Sequence, residues 1–257
     1  MSFSSRIASL TLLAALAVSP AAIAGESYEP SVGQPGKDVV WVPTSQALVE
    51  KMLDMAKVTP KDYVIDLGSG DGRTVITAAK RGSKAHGIEY NPDMVALAQQ
   101  RAKEAGVSDK ATFAKADLFE SDFSQAQVIT MFLLPSINEK LRPKILDLKP
   151  GTRIVSNSFR MGDWQPDQTE NVTDCQSYCT ALLWIVPAKV DGAWRLGNQD
   201  LTLKQEFQNL SGTLGTTPVT NAKLNGAEIT FTAGSKTYKG TVNGNNIKGS
   251  DWSATKK

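Results

Sequence analysis

The 257-residue sequence predicts an α/β domain built on a doubly wound parallel sheet, followed by a small antiparallel all-β domain. Three observations predict it. Short apolar runs alternate with stretches of helical spacing from Trp41 to about Pro187. A glycine-rich segment, Gly68 to Gly72, sits where the first apolar run ends and a helix begins. Beyond Val186 the apolar spacing changes to two, the period of a half-buried strand.

In chain order, residues 25–40 are rich in Gly, Pro and Ser without periodicity and read as a linker or N-terminal arm. Thr44 is a candidate N-cap for a helix carrying Leu48, Met52 and Met55. Tyr63 to Leu67 is a short buried strand, and Arg73 to Arg81 a helix. Ala85 to Glu89 is a second strand. Asn91 caps the next helix, with Pro92 at its first position and Gly106 at its end. Ala111 to Ala116 and the almost wholly apolar Ala126 to Leu133 are the third and fourth strands. Ser136 to Glu139 has capping-box spacing, and Pro143 should kink or restart the helix it opens. Lys149-Pro150-Gly151 turns into a fifth strand, Thr152 to Ser158. This alternation implies a sheet covered on both faces. From 188 to 257, Leu201/Leu203 and Ile229/Phe231 alternate with polar residues, and Asn225-Gly226 and Asn243-Gly244 mark hairpins of a meander.

Ahead of these domains, residues 1–24 read as a signal peptide. Arg6 supplies a positive start, Ile7 to Val18 an apolar run too short for a bilayer, and Ala22-Ile23-Ala24 a cleavage site. The expectation is export, to the periplasm, with no transmembrane segment in the mature chain. The chain carries 28 basic and 26 acidic residues, a balance that argues against a nucleic-acid partner held through phosphates. Two cysteines and one histidine are too few for a zinc site, and no metal is expected. An oxidising compartment permits a disulfide between Cys175 and Cys179. Four residues of extended strand span about 13 Å, whereas a bridge needs Cα atoms within about 7 Å. Either the segment turns between them or both thiols stay free.

The chemistry concentrates in Val64-Ile65-Asp66-Leu67-Gly68-Ser69-Gly70-Asp71-Gly72. In open α/β sheets, ligands bind beyond the carboxyl ends of the strands. A dinucleotide loop reads G-x-G-x-x-G; here the third glycine comes one residue early, at Gly72. Asp66 stands two residues before the first glycine. A carboxylate there is of no use to a pyrophosphate, but it can accept from an ammonium group. S-adenosylmethionine has an ammonium and no phosphate, so the loop favours it over NAD. Glu89, at the end of the second strand, can accept both ribose hydroxyls. Asp117, after the third, can accept from the adenine amino group, and Leu118 can pack on the base.

On these residues, 41 to about 187 resembles the class I, seven-strand, Rossmann-like S-adenosylmethionine-dependent methyltransferases. Within them it is most similar to the small lysine methyltransferases that include the ATP-synthase c-subunit enzyme. The likeness rests on Val42-Pro43-Thr44, Asp66 to Arg73, Gly87-Ile88-Glu89-Tyr90-Asn91-Pro92, Asp117-Leu118-Phe119, Leu134-Pro135 and Trp164-Gln165-Pro166-Asp167. It does not extend to the β domain. It implies that Asp66, Gly68, Ser69, Gly70, Gly72 and Glu89 hold the cofactor, with Thr44 near its methionine end. It also implies that Leu134 and Pro135 line the acceptor's entrance. Tyr90 joins the cofactor set and, with Asp163 and Trp164, the candidates for lining the acceptor pocket. Many amine methyltransferases have an Asn/Asp-Pro-Pro-aromatic motif; this chain has Leu133-Leu134-Pro135-Ser136 there.

The resemblance therefore implies a methyltransferase acting on a protein lysine. A small-molecule acceptor and an exported binding protein with a silent Rossmann-like domain are the alternatives, the latter because the cofactor is made in the cytoplasm. His86 lies early in its strand and reads as structural; no catalytic base is assigned.

Overall fold

A computed structural model describes residues 28–257; the proposed leader lies outside the described residues. The first domain is a seven-stranded sheet in the order β3-β2-β1-β4-β5-β7-β6. Its strands are β1 (Tyr63–Leu67), β2 (Lys84–Glu89), β3 (Ala111–Lys115), β4 (Val128–Met131), β5 (Arg153–Asn157), β6 (Gln168–Asn171) and β7 (Thr180–Ile185). The first five are parallel, and β6 and β7 form an antiparallel hairpin on the β5 edge. The sheet is thus mixed rather than wholly parallel. The reversal of strand order falls between β1 and β4, where an open sheet leaves a crevice.

Helices cover both faces. The side chains of α1 (Gln46–Met55), α2 (Arg73–Lys80) and α3 (Pro92–Glu104) share one apolar cluster with Val64, Val128 and Val155. Those of α4 (Pro135–Leu146) share the other with Ile65, Leu67, Ile129, Met131 and Ile154. Successive residues of β1 and β4 therefore feed opposite cores, which is why these strands read as unbroken apolar runs.

Three local expectations are corrected. Ser45, not Thr44, caps α1, accepting from the Leu48 amide at 3.3 Å. Ser136 lies inside α4; Leu134 is the N-cap and offers no side-chain bond, while Pro135 supplies the pre-set φ of a first helical residue. Pro143 sits within α4, which runs unbroken from Pro135 to Leu146.

The second domain is a closed barrel of eight antiparallel strands. These are β8 (Gly192–Leu196), β9 (Gln199–Glu206), β10 (Asn209–Leu214), β11 (Thr217–Asn225), β12 (Glu228–Ala233), β13 (Lys236–Asn243), β14 (Asn246–Gly249) and β15 (Ser253–Lys256). Closure comes from β15 pairing with β8, which leaves no open edge. Trp194, Leu201, Leu203, Leu224, Ile229, Phe231 and Ile247 fill its core. Six two-residue hairpins join the strands from β8 to β14, and each opens on a left-handed residue. Five of these are glycines (Gly197, Gly215, Gly226, Gly234, Gly244) with φ between 56° and 61°. The sixth is Phe207 at φ 53°. A bulky residue there is strained, and its ring stacks on Trp164 of the first domain at 5.7 Å. Next to it, Gln208 accepts from the Trp164 indole at 2.9 Å and donates to the Gln165 carbonyl at 2.9 Å. The strained turn is one place where the barrel docks, and Lys223, pairing with Asp167 at 3.3 Å, is another. Among the described residues no helix is long and apolar enough to cross a membrane.

Candidate functional site

A cavity of about 410 Å³ opens at the carboxyl ends of the strands, beside the β1/β4 crevice. That is the size of a small-molecule site. The β1–α2 loop forms its floor. Gly68, Gly70 and Gly72 all take left-handed φ, at 75°, 51° and 80°. A Cβ on Gly70 would come within 2.7 Å of the Trp41 indole nitrogen. A Cβ on Gly72 would come equally near Ala98 and within 2.8 Å of the Phe113 ring. Glycine is therefore required both by conformation and by packing. Asp71, 2% exposed, anchors the loop through Arg73 at 2.6 Å and Arg101 at 2.5 Å. Although burial alone would raise its pKa, these partners hold it below the usual carboxylate range.

Three strand tips deliver carboxyl groups to this cavity, as the sequence predicts. Asp66, at the end of β1, is buried and accepts from the Thr130 hydroxyl at 2.6 Å. Desolvation pushes its pKa up to about 7; the Thr130 bond opposes this, and the charges of Glu89 and Asp71 add to it. No cation of the described residues pairs with it. Glu89, at the end of β2, accepts from the Gly70 amide on one oxygen and the Asn91 amide on the other, both at 2.9 Å. Those bonds fix the carboxylate and leave each oxygen a second lone pair. Asp117, after β3, accepts from the Phe119 amide at 2.9 Å and pairs with Lys37 at 3.1 Å. The amide and then Lys37 hold its pKa below the usual range.

Lys37 comes from the segment read as a linker. Its described part folds back instead: the Gly33 amide donates to the Trp41 carbonyl at 2.8 Å, the Trp41 amide donates to the Gln34 carbonyl at 2.9 Å, and residues 34–44 line the cavity. Thr44 is buried; its hydroxyl accepts from the Asn157 amide at 3.1 Å and its carbonyl from Arg73 at 2.8 Å. Tyr90 and Leu118 line the cavity. Ser69 borders it, but its hydroxyl is buried and unpartnered, packed over Gly87.

On the acceptor side Leu134 lines the cavity and is 42% exposed, whereas Pro135 starts α4 and does not. Asp163 and Trp164 do not line it either. The Asp163 carboxylate pairs with Arg142 at the surface, and Trp164 is fully buried against Phe207 and Trp184. Three rings that sequence reasoning missed do: Phe132 after β4, Phe159 after β5, and Tyr178 in the β6–β7 connection. His86 lies off the cavity, its Nδ1 2.8 Å from the Thr112 hydroxyl.

The residues suit an aminoacyl nucleoside cation. A buried carboxyl without a cation matches an ammonium, a fixed carboxylate with free lone pairs matches a diol, and the carboxylates outnumber the bases around them.

Comparison with known proteins agrees. The model of the ANTKMT methyltransferase domain matches residues 66–168. A protein-lysine N-methyltransferase of Saccharolobus islandicus is 43% identical over 151 residues, which is 58% of this chain and 94% of the relative. The mouse lysine N-methyltransferase of the ATP-synthase c-subunit is 37% identical over 130 residues, 50% of this chain and 52% of that protein. An RNA methyltransferase of Salinibacter ruber, solved with S-adenosyl-L-homocysteine, superposes with a TM-score of 0.55 at 46% identity. That match covers 58% of this chain and 96% of the solved one.

Proposed function

This chain belongs to the family of the ANTKMT methyltransferase domain, the S-adenosylmethionine-dependent methyltransferases, and we propose that its acceptor is the side-chain amine of a protein lysine. The observation that carries the proposal is the likeness to the archaeal protein-lysine N-methyltransferase across 94% of that relative's length. The chain spans about half of the mouse relative.

Bound S-adenosylmethionine supplies a methyl group already activated by a sulfonium, so the protein's work is binding, alignment and exclusion of water. In this reading the Asp66 carboxylate receives the ammonium, Glu89 the ribose hydroxyls and Asp117 the adenine amino group, with Leu118 on the base. Gly68 and Gly70 let the backbone come close, whereas Gly72, expected among the cofactor residues, does not line the cavity and packs against Ala98 and Phe113. A lysine amine, with a free pKa near 10.4, must reach the methyl group as the neutral base. The apolar end of the cavity, with Leu133, Leu134 and Phe159, favours that form by withholding water. No side chain is assigned as base.

An RNA acceptor is the second reading, because the Salinibacter ruber protein is an RNA methyltransferase. The cavity argues against it. Its acceptor side, lined by Phe132, Leu133, Leu134, Phe159 and Tyr178, offers no cation to a phosphate. The test is transfer of a labelled methyl group into whole-cell extract. Label removed by protease and found on lysine by mass spectrometry is the expected result; label removed by ribonuclease overturns the lysine reading. We also infer that the chain is exported. The leader pattern and the disulfide between Cys175 and Cys179 support this. Alkaline-phosphatase activity of a fusion to residues 1–40 tests it; an inactive, well-expressed fusion contradicts it.

A further inference from the structure

The sheet edge brings three rings together from three separate elements. Phe132 leaves β4, Phe159 leaves β5, and Tyr178 stands in the connection between β6 and β7. Because β7 runs antiparallel to β5, with Ala181 opposite Asn157, this connection projects at the same carboxyl edge as the cofactor acids. The ring centroids lie 5.8 Å (Phe132–Phe159), 5.2 Å (Phe132–Tyr178) and 5.7 Å (Phe159–Tyr178) apart, and all three rings line the cavity. Tyr178 is 43% exposed, so it forms the outer rim.

Local sequence does not hold Tyr178 there. Its φ is +56°, a conformation uncommon for a bulky residue. What imposes it is closure of the loop. Cys175 and Cys179 are bonded, with Cα atoms 5.6 Å apart, and the Val172 amide donates to the Cys179 carbonyl at 3.0 Å. The base of the loop is tied to β5 by the Ser158 amide donating to the Thr180 carbonyl at 2.7 Å. Tyr178 lies between the bonded cysteines, so the reversal they impose aims its ring at Phe132 and Phe159.

We propose that the disulfide-closed loop between β6 and β7 is the acceptor-recognition element, holding Tyr178 as the rim of an aromatic wall that takes an unbranched alkylamine side chain. The inference rests on the lysine reading above and names what recognises that side chain. Ring faces accept methylene stems through dispersion and carry positive charge on nitrogen through their quadrupoles. The acidic residues of the cavity all lie on other elements, so the wall offers no carboxylate to keep the amine protonated. Tyr178 is a recognition residue, and the cysteines are positioning residues that act through it.

The probe is n-butyltrimethylammonium, the side chain of a fully methylated lysine, titrated by calorimetry into the oxidised protein saturated with S-adenosyl-L-homocysteine. Tyr178→Ala should weaken its binding about tenfold, or 1.4 kcal/mol, and Tyr178→Phe should restore it. The Cys175→Ser/Cys179→Ser double variant should weaken it to the same extent. Adding Tyr178→Ala to that variant should change nothing more, because both act on one contact. Affinity for S-adenosyl-L-homocysteine should stay within twofold throughout, which separates a recognition role from general damage. The proposal is overturned if wild type binds no probe, if Tyr178→Ala or the cysteine variant leaves probe affinity within twofold, or if either weakens the nucleoside equally. These results differ from failure of the lysine reading, which shows as label on RNA or on a small molecule.

Discussion

The two halves of the cavity are built in opposite ways. The cofactor half stands on β1, β2 and β3, each with one acid at or just beyond its carboxyl end: Asp66, Glu89 and Asp117. Two of those acids are held by backbone amides, those of Gly70 and Asn91 for Glu89 and of Phe119 for Asp117. The acceptor half stands on β4, β5 and the β6–β7 hairpin and presents rings. It is held by a disulfide between cysteines four residues apart, and by Trp184 of β7, whose indole donates to the Trp164 carbonyl at 2.8 Å. Trp164 in turn is clamped by Phe207 and Gln208 of the barrel. A half built from fixed strand-end carboxyl groups suits a ligand that never changes. A half braced by a second domain suits an acceptor that differs between relatives.

The strongest way to break this comparison is Trp164→Ala. It removes a fully buried indole with its bond to Gln208, and should lower stability by about 3–5 kcal/mol. Denaturant unfolding measures this, and a loss under about 1 kcal/mol would mean that the barrel does not brace the acceptor half. Next is the pH behaviour of Asp66. Its pKa of about 7 in the folded chain lies above the unfolded value of 3.8. Its contribution to stability is therefore full below pH 4 and lost as pH rises through 7. The loss is on the order of 4 kcal/mol. Asp66→Asn should remove that part of the slope, measured as wild type minus variant between pH 5 and 8. Cofactor binding has the opposite sign, since the ammonium needs the ionised carboxylate. Affinity for S-adenosylmethionine should fall about tenfold from pH 8 to pH 6, and Asp66→Asn should flatten the profile. A flat wild-type profile would remove Asp66 from the ammonium site. The smallest effect is at Lys37, which pairs with Asp117 in this structure. Lys37→Ala frees that carboxylate and should tighten cofactor binding by no more than about threefold, the scale of an exposed pair. Weakened binding would instead make Lys37 part of the cofactor's cover.

The contrast also explains what is legible in the sequence. Strand Tyr63–Leu67 has the bounds that its apolar run predicts, and the glycine loop with its three acids lies where the motif puts it, because strand ends and tight turns depend on adjacent residues. The bracing of the acceptor half by Trp164 rests on pairings 20 or more residues apart, with Trp184 and Gln208, which periodicity does not reveal. Trp164 and Asp163 carry no local sign that one faces the barrel and the other Arg142. Nothing near Tyr178 announces that a hairpin will carry it to Phe132. The cysteines four apart signal a turn or nothing, and the hairpin decides for the turn. In the barrel, the Asn-Gly pairs predict hairpins correctly, but glycine takes the first loop position and asparagine ends the strand. Closure of β15 on β8 joins residues some 60 positions apart, beyond the reach of any turn signal.

The most direct test of the account is calorimetric titration of the purified protein with S-adenosylmethionine, repeated on Glu89→Ala. The account predicts micromolar binding that the variant weakens at least tenfold, about 1.4 kcal/mol or more, because the fixed carboxylate loses its ribose hydroxyls. Absence of binding by a folded wild-type chain, or undiminished binding by Glu89→Ala, would contradict it.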